Sequence, residues 1–266
     1  MRPLLINLKS CQKSKYETLA NETSKWCPAD GKDKFEKNCK MFPDNKSLKY
    51  YKKHPITYKF NNYGFRTDDD FNSTDEGNIF LGCSYTIGIG HHLKNTWSYK
   101  LNEHIGGKFW NLSLSGAGVD TAFRLLYGFK KILKIKNIFH YAPLNHGFRY
   151  EYLIKSDTDG NHSYPQMFNV VHNTESAIEF FGKKFVKEAL LTDNFAKLNY
   201  DKSILAIESL SKKLGSNYYY LSDDILQRYR TIENDDSELQ ARDLEHYPVN
   251  MQNYIYKNFL EKYDTS

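Results

Sequence analysis

The sequence NIFLGCSYTIGIG, residues 78–90, decides the fold, because a short apolar run leads directly into a serine surrounded by glycines. Residues 79–82 predict a short buried strand, since a brief apolar run bounded by glycine is typical of strands covered on both faces. Ser84 follows two residues beyond that strand, at its carboxyl end. The flanking glycines let the backbone turn sharply and approach a ligand closely.

The rest of the chain alternates between short strands and amphipathic helices. The further predicted strands are residues 109–114, 137–143 (NIFHYAP) and 217–222 (NYYYLS), and the predicted helices are residues 96–105, 119–133, one long or two shorter helices over 174–214, and 249–263. This alternation predicts an α/β fold with a mainly parallel sheet that helices cover on both faces. Ligands bind beyond the carboxyl ends of the strands in such sheets, and this is where Ser84 lies.

The predicted organisation is one domain preceded by an extension. Its parts are a lysine-rich N-terminal extension at residues 1–55, irregular or with short helices, a domain at residues 56–266, and an insertion within that domain at residues 150–173. Ile56, Tyr58 and Phe60 alternate along the start of the domain, which predicts a half-buried strand. The insertion, with SDTDGNHS at its centre, is predicted to be a hairpin or irregular.

Composition and charge argue against several classes of protein. The formal net charge is +5, and its lysines are scattered rather than arranged in a basic stripe with interleaved aromatic residues, so we expect no nucleic-acid partner. No apolar run is long enough to span a membrane, and the one in MRPLLINLKS is too short for a signal peptide. We therefore expect a soluble, cytoplasmic protein, and the sequence does not indicate an oligomeric state.

The four cysteines are not closely paired. Cys27 and Cys39 could form a disulfide in an oxidising compartment, or they could be ligands of a metal ion. No second CxxC and no suitably spaced pair of histidines supports zinc binding, so we expect reduced, partly buried thiols and neither a metal nor another cofactor.

Three groups of residues predict nucleophilic catalysis. A serine hydroxyl needs a base and a group that orients the base, and in ARDLEHYPVNMQ Asp243 and His246 lie three residues apart, so one turn can present both to the same cleft. The carboxylate can then hold one imidazole nitrogen while the other faces Ser84. The negative oxygen formed on an attacked carbonyl needs hydrogen-bond donors. We expect these from the backbone N–H groups of Ser84 and of Gly116 in NLSLSGAG, and from the side-chain amide of Asn145 in APLNHGFR.

GCSYTIG, NLSLSGAG, LNHGFR and DLEHYP occur in this order, each at a predicted strand end or before the last helix. Together they resemble the four blocks of the SGNH, or GDSL-type, hydrolases, whose patterns are Gly-Asp-Ser-x-(Ser/Thr)-x-Gly, Asn-x-x-x-Ser-Gly, Gly-x-Asn-Asp and Asp-x-x-His-Pro. One residue is inserted before the proline of the last block. NNYGFR, ahead of the first block, is similar to an N-terminal strand of some members.

The resemblance covers residues 78–263 and implies a flavodoxin-like three-layer α/β/α sandwich. It also implies an esterase that works through an acyl-enzyme, with Ser84, His246 and Asp243 as the catalytic triad and Gly116 and Asn145 in the oxyanion hole. The expected substrate is a small-molecule, carbohydrate or lipid ester, such as an acetylated sugar or a short-chain acyl lipid; thioesters remain open.

Two positions depart from the family pattern. Cys83 stands where the family has an aspartate before the nucleophile, and His146 follows the third-block asparagine in place of another aspartate. These departures support an alternative, a non-catalytic carbohydrate-binding or structural module that retains the SGNH fold. We expect Cys83 to be a small buried residue, and His91 and His92, just after the first block, to be exposed loop histidines.

Each motif also has a simpler interpretation. Ser84 is then a plain loop serine, Asp243 and His246 cap the last helix, Asn145 is a turn residue, and Gly116 relieves crowding. The order of the blocks at one sheet edge favours the catalytic interpretation over these separate ones.

Overall fold

The structure, a computed structural model, describes residues 8–72, 74–155, 163–170, 174–222 and 239–266. The helices are α1 (Leu8–Gln12), α2 (Lys32–Met41), α3 (Lys46–Lys53), α4 (Ser84–Ile87), α5 (Trp97–Ile105), α6 (Val119–Phe129), α7 (Thr174–Phe181), α8 (Lys183–Phe185), α9 (Asp193–Leu214) and α10 (Val249–Asp264). The strands are β1 (Thr23–Ser24), β2 (Tyr58–Lys59), β3 (Glu76–Leu81), β4 (Lys108–Asn111), β5 (Lys134–Tyr141), β6 (Arg149–Lys155), β7 (Ser163–Asn169) and β8 (Asn217–Leu221).

A parallel sheet forms the centre of the fold. Within the described residues its strands lie in the order β4–β3–β5–β8, and every neighbouring pair is parallel. Ile79 of β3 pairs with Trp110 of β4 on one side and with Ile138 of β5 on the other. The carboxyl ends of all these strands therefore lie at one edge, as predicted.

Helices cover both faces of this sheet. Successive side chains of a strand point to opposite faces, and accordingly Ile79 packs in one apolar cluster and Phe80 in the other. The first cluster includes side chains of α6 and α9, and the second includes side chains of α5 and α10. The prediction of an α/β fold with helices on both faces of a parallel sheet is confirmed.

Some predicted elements differ from the observed ones at their ends. Helix α6 ends at Phe129 rather than at residue 133, because Ile132 and Leu133 both donate to the Phe129 carbonyl in a turn that leads into β5. The predicted insertion contains an antiparallel hairpin of β6 and β7. Its centre, residues 156–162, and residues 171–173 lie outside the described part of the chain.

The N-terminal segment packs into the domain core. Its short strand β1 pairs antiparallel with β2, and the predicted strand at residues 56–60 is thus observed as the shorter β2. Three side chains of the segment, those of Tyr16, Cys27 and Tyr51, are buried together with Phe60 in the apolar cluster on the α6 side of the sheet. The domain boundary at residue 55 stays a prediction.

All four cysteines are free thiols; Cys11, Cys27 and Cys83 are buried and Cys39 is half-buried.

Of the helices that the structure describes, none has the length and apolar character needed to cross a lipid bilayer.

Candidate active site

Ser84 begins helix α4 immediately after the turn that follows β3. Gly82 in this turn has φ +150°, and a Cβ there would lie 2.2 Å from Thr86 Oγ1 and 3.0 Å from the Tyr141 carbonyl oxygen. Only glycine fits this backbone. The Ser84 carbonyl accepts the N–H of Gly88 at 2.9 Å and closes the short helix. The turn thus holds Ser84, half-buried, at the carboxyl edge of the sheet.

Polar side chains from three other elements hold α4 in place. The Thr86 carbonyl accepts hydrogen bonds from Ser98 Oγ at 3.1 Å and from Asn111 Nδ2 at 3.3 Å. Gln252 of α10 donates to the Tyr85 carbonyl at 3.2 Å. Sequence reasoning assigned no role to Ser98 or Gln252, since a single polar residue on a helix carries no local signal of such a contact.

Asp243 and His246 form a hydrogen-bonded pair. His246 Nδ1 lies 2.6 Å from Asp243 Oδ2, and the N–H groups of Glu245 and His246 donate to Asp243 Oδ1 at 3.1 and 3.2 Å. The carboxylate is fully buried, and 15% of the imidazole side chain is exposed. Because a carboxylate accepts, Nδ1 carries the proton and Nε2 is left as the basic nitrogen. The pair therefore has the geometry of an oriented general base.

The surroundings keep the Asp243 carboxylate ionised. Burial acts to raise the pKa of Asp243, but the hydrogen bond and charge of His246 and the backbone N–H donors outweigh it, so the pKa is lowered from its ordinary value. Lys34 Nζ lies 3.8 Å from Asp243 Oδ2 and forms a closer ion pair with Glu245, at 2.5 Å from Oε2. An ionised carboxylate can stabilise an imidazolium during proton transfer.

The Asp243–His246 pair lies on the same side of the sheet as Ser84. The His246 ring is 5.3 Å from the ring of Tyr85, the residue after Ser84, and the two rings meet edge to face. Tyr85 also stacks on Tyr247 at 3.9 Å between ring centroids. Within the described residues, no hydrogen bond joins the Ser84 hydroxyl to His246. Catalytic hydrogen bonds are often long before substrate binds.

The loop that carries the pair is docked on the loop that follows α4. The Arg242 N–H donates to the Gly90 carbonyl at 2.9 Å. A Cβ on Gly90 would lie 2.9 Å from Ala241 Cβ, so the two backbones touch because residue 90 is glycine. From the other side, Asn38 of α2 donates to the Asp243 carbonyl at 3.0 Å.

Gly116 lies in the loop after β4, next to the Ser84 turn. The Leu114 N–H, two residues earlier, donates to the Gly82 carbonyl at 3.3 Å. Gly116 is half-buried and lines a groove of about 480 Å³ together with Lys15 and Met167. No heavy atom outside the adjacent residues lies within 4 Å of the place where a Cβ would stand. The interpretation that this glycine relieves crowding is therefore wrong, and its role as an oxyanion donor stays a prediction.

Asn145 lies in the 3₁₀ turn Leu144–Phe148 after β5 and is exposed. It lines a mainly apolar groove of about 510 Å³ together with side chains of that turn and of the first turns of α9. The other residues that line this groove belong neither to the Ser84 turn nor to the Asp243–His246 loop. Its predicted role in the oxyanion hole stays a prediction.

The expectation of two exposed histidines after the Ser84 turn is wrong. His91 is fully buried, and its Nε2 donates to the Tyr247 carbonyl at 2.6 Å, because the loop that carries it lies beneath the C-terminal loop. Burial lowers the pKa of His91 to about 4, against the opposing effect of that hydrogen bond. His92 is half-buried beside the rings of Tyr50 and Tyr51.

The two departures from the family pattern are both buried. Cys83 is fully buried at the N-cap of α4 and makes no side-chain capping hydrogen bond. His146 is fully buried, and neither ring nitrogen has a hydrogen-bond partner among the described residues. Burial, reinforced by Arg149 and His140, lowers the pKa of His146 well below its ordinary value, so the ring is neutral.

No protein-family model matches this chain, and the curated proteins contain no match to it either.

Proposed function

We propose that the chain is a serine esterase of the SGNH type that hydrolyses carboxylic esters through an acyl-enzyme. The observation that carries the proposal is the hydrogen bond of 2.6 Å between His246 and the buried carboxylate of Asp243, on a loop packed against the helix that Ser84 begins. In this proposal Asp243, His246 and Ser84 act as orienting acid, base and nucleophile at the sheet edge where ligands bind in α/β folds.

The order of the strands supports a flavodoxin-like sandwich. Numbered along the chain, the strands of the central sheet lie in the order 2-1-3-4 within the described residues. These are the first four positions of the flavodoxin-like order 2-1-3-4-5, in which ligands bind at the point, between the first and third strands, where the strand order reverses. Ser84 follows the first of these strands and Asn145 follows the third, so the proposal assigns the two residues to the two sides of that crevice.

The proposed first step is acylation of Ser84. Its oxygen attacks the ester carbonyl while Nε2 of His246 takes the hydroxyl proton, and the carbonyl π electrons move to the oxygen. The N–H groups of Ser84 and Gly116 and the amide of Asn145 hold that negative oxygen. When the intermediate collapses, the bond to the alcohol breaks and His246 returns the proton to the departing oxygen.

The second step is hydrolysis of the acyl-enzyme. A water molecule attacks the acyl carbon, and His246 takes a proton from the water as it did from Ser84. Collapse of this second intermediate breaks the bond to Ser84, which recovers its proton from His246, and the carboxylic acid leaves. Asp243 keeps the imidazole oriented and stabilises its positive charge in both steps.

A fluorophosphonate probe tests this proposal directly. We expect it to label the wild-type chain at Ser84, with the site read by peptide mass spectrometry, and not to label Ser84→Ala. Short- and long-chain p-nitrophenyl esters and an acetylated polysaccharide test the substrate class, and Ser84→Ala should lose on the order of 10⁴- to 10⁶-fold in kcat. Unchanged ester hydrolysis in Ser84→Ala would refute the proposal.

A second candidate is a carbohydrate-binding module that keeps the fold without catalysis. It is favoured by His146, which replaces the family aspartate and is buried without a hydrogen-bond partner among the described residues. This candidate predicts binding of a polysaccharide by isothermal titration with no release of acetate. Acetate release that depends on Ser84 would exclude it.

A further inference from the structure

A buried ion pair joins the N-terminal segment to the loop of the candidate base. Arg242 donates to both carboxylate oxygens of Asp30, with Nη2 to Oδ2 at 2.6 Å, and each side chain is 1% exposed. The Arg242 guanidinium also lies 4.1 Å from the ring centroid of Trp26. Arg242 directly precedes Asp243, so the position of this pair sets the position of the triad carboxylate.

Tyr58 connects the same carboxylate to the loop that follows the candidate nucleophile. Its hydroxyl donates to Asp30 Oδ2 at 2.5 Å and accepts the N–H of Gly90 at 2.9 Å. Gly90 is also the residue whose carbonyl receives the Arg242 N–H. The buried Tyr58 hydroxyl therefore links the two loops by hydrogen bonds: it bonds directly to Gly90 in one loop, and it reaches Arg242 in the other through Asp30.

A second buried arginine holds the end of α4. Arg66 donates through Nη1 to the Gly88 carbonyl at 2.5 Å and through Nη2 to the His91 carbonyl at 2.8 Å. Its guanidinium lies 4.1 Å from the centroid of the Tyr58 ring. We call Asp30, Tyr58, Arg66 and Arg242 the arginine network. It contacts the loop that carries Asp243 and His246 and the loop that follows α4, the helix that Ser84 begins.

We propose that the arginine network positions the Ser84 and His246 side chains relative to each other, with Tyr58 as the central positioning residue. This inference rests on the proposed function, because it requires Ser84 to be a nucleophile activated by His246. Buried charges carry a large desolvation cost, and buried ion pairs often stabilise a fold no better than apolar residues of similar volume. A geometric role therefore explains the network better than stability does. Misplacement of a reacting group by about 1 Å can cost about 100-fold in rate.

The test is Tyr58→Phe, which removes the hydroxyl and keeps the ring. We expect the rate constant for fluorophosphonate labelling of Ser84, and kcat for the best ester, to fall by about 10- to 100-fold. KM should stay within about twofold and every molecule should still become labelled, because the change affects the transition state rather than substrate binding or folding. A loss of folded protein would instead lower the final labelled fraction and leave the rate constant unchanged.

The matched control is Tyr150→Phe. Tyr150 is also buried, and its hydroxyl donates to the Leu190 carbonyl at 3.0 Å, away from both loops. We expect this variant to be labelled at the wild-type rate. A second variant, Asp30→Asn, should slow labelling as Tyr58→Phe does, and the double variant should be no slower than Asp30→Asn alone, because both substitutions break one network.

The outcomes separate this inference from the function on which it rests. A wild-type chain that the probe does not label at Ser84 would overturn both. A labelled wild type with Tyr58→Phe at the same rate would overturn the positioning role alone, and so would equal slowing by Tyr150→Phe. Slower labelling confined to the network variants, with complete final labelling, supports the proposal.

Discussion

Two loops at the carboxyl edge of the sheet are held in different ways. In the loop at residues 240–247, Arg242 is paired with a buried carboxylate, and Asp243 accepts hydrogen bonds from a side chain and from two backbone groups. The turn Leu144–Phe148 packs against α9, where Asn199 donates to the Gly147 carbonyl at 3.2 Å. His146 in this turn is enclosed with no hydrogen-bond partner among the described residues.

The difference lies in which groups of each loop are held by polar contacts. Several directional contacts set the position of His246: its hydrogen bonds to Asp243 and its edge-to-face contact with Tyr85. The turn with Asn145 packs against α9, and its backbone accepts hydrogen bonds from α9 through Asn199 to the Gly147 carbonyl and through Tyr200 to the Ala142 carbonyl that precedes it. We therefore expect substitutions in the first loop to lower the rate of the chemical step. In the second loop we expect substitution of Asn145 to weaken oxyanion binding and substitution of His146 to change the stability of the fold.

The largest effect is expected from Asp243→Asn, which keeps the shape of the side chain and removes its charge. The amide cannot stabilise an imidazolium and favours the wrong tautomer of His246, so kcat should fall by about 10⁴-fold. Ester hydrolysis measured on folded protein, with folding checked by circular dichroism, tests this. A loss below tenfold would mean that the pair has no catalytic role, and the proposed triad would then be wrong. The structure already excludes the simpler interpretation that the pair caps α10, because Pro248 is the N-cap residue and no side chain of the described residues caps that helix.

A smaller effect is expected from Asn145→Ala on the other loop. If the amide donates to the oxyanion, kcat should fall by about 10²- to 10³-fold with little change in KM. Leu144→Ala, on the neighbouring exposed residue, is the control for disturbance of the turn. Equal rates in wild type and Asn145→Ala would limit the oxyanion donors to the two backbone N–H groups.

The sheet and its helices could be predicted because their signals are local. Short apolar runs identified β3, β4, β5 and β8, and helical periodicity identified α5 and α6. The alternation of strands and helices placed Ser84 at the carboxyl edge. The same local patterns placed Asp243 and His246 on one turn, and the hydrogen bond between them was predicted from their spacing.

Contacts between distant residues could not be predicted in this way. Asp30 and Arg242 are 212 positions apart, and each is an ordinary charged residue in a polar stretch. His91 was expected to be exposed because it follows a glycine-rich turn, and its burial depends on the C-terminal loop that covers it. The N-terminal segment is rich in lysine, so its sequence did not indicate that aromatic residues such as Tyr16 and Tyr51 are buried in the core.

The smallest effect concerns stability, and it is expected from His146→Leu in the packed turn. Burial holds the pKa of His146 well below its ordinary value, so in the pH range below about 6.5 the unfolded chain binds a proton that the native chain does not. Stability is therefore lost as the pH falls through this range, by up to about 1.4 kcal/mol per pH unit. The variant should lack this contribution and should be as stable as wild type or more stable at pH 7, because a buried polar group without a partner is costly.

Urea unfolding at pH 7, 6, 5 and 4 measures the difference in stability between His146→Leu and wild type. Other groups titrate in this range: burial also lowers the pKa of His91 to about 4, whereas burial raises the pKa of Asp120 to about 7 and acts in the opposite sense. They are present in both proteins and cancel in the difference. His104→Leu, an exposed substitution on α5, should leave the pH dependence unchanged. If His146→Leu were as acid-sensitive as wild type, the buried ring would not be the source of this pH dependence, and His146 would have to gain a proton or a partner in the native state.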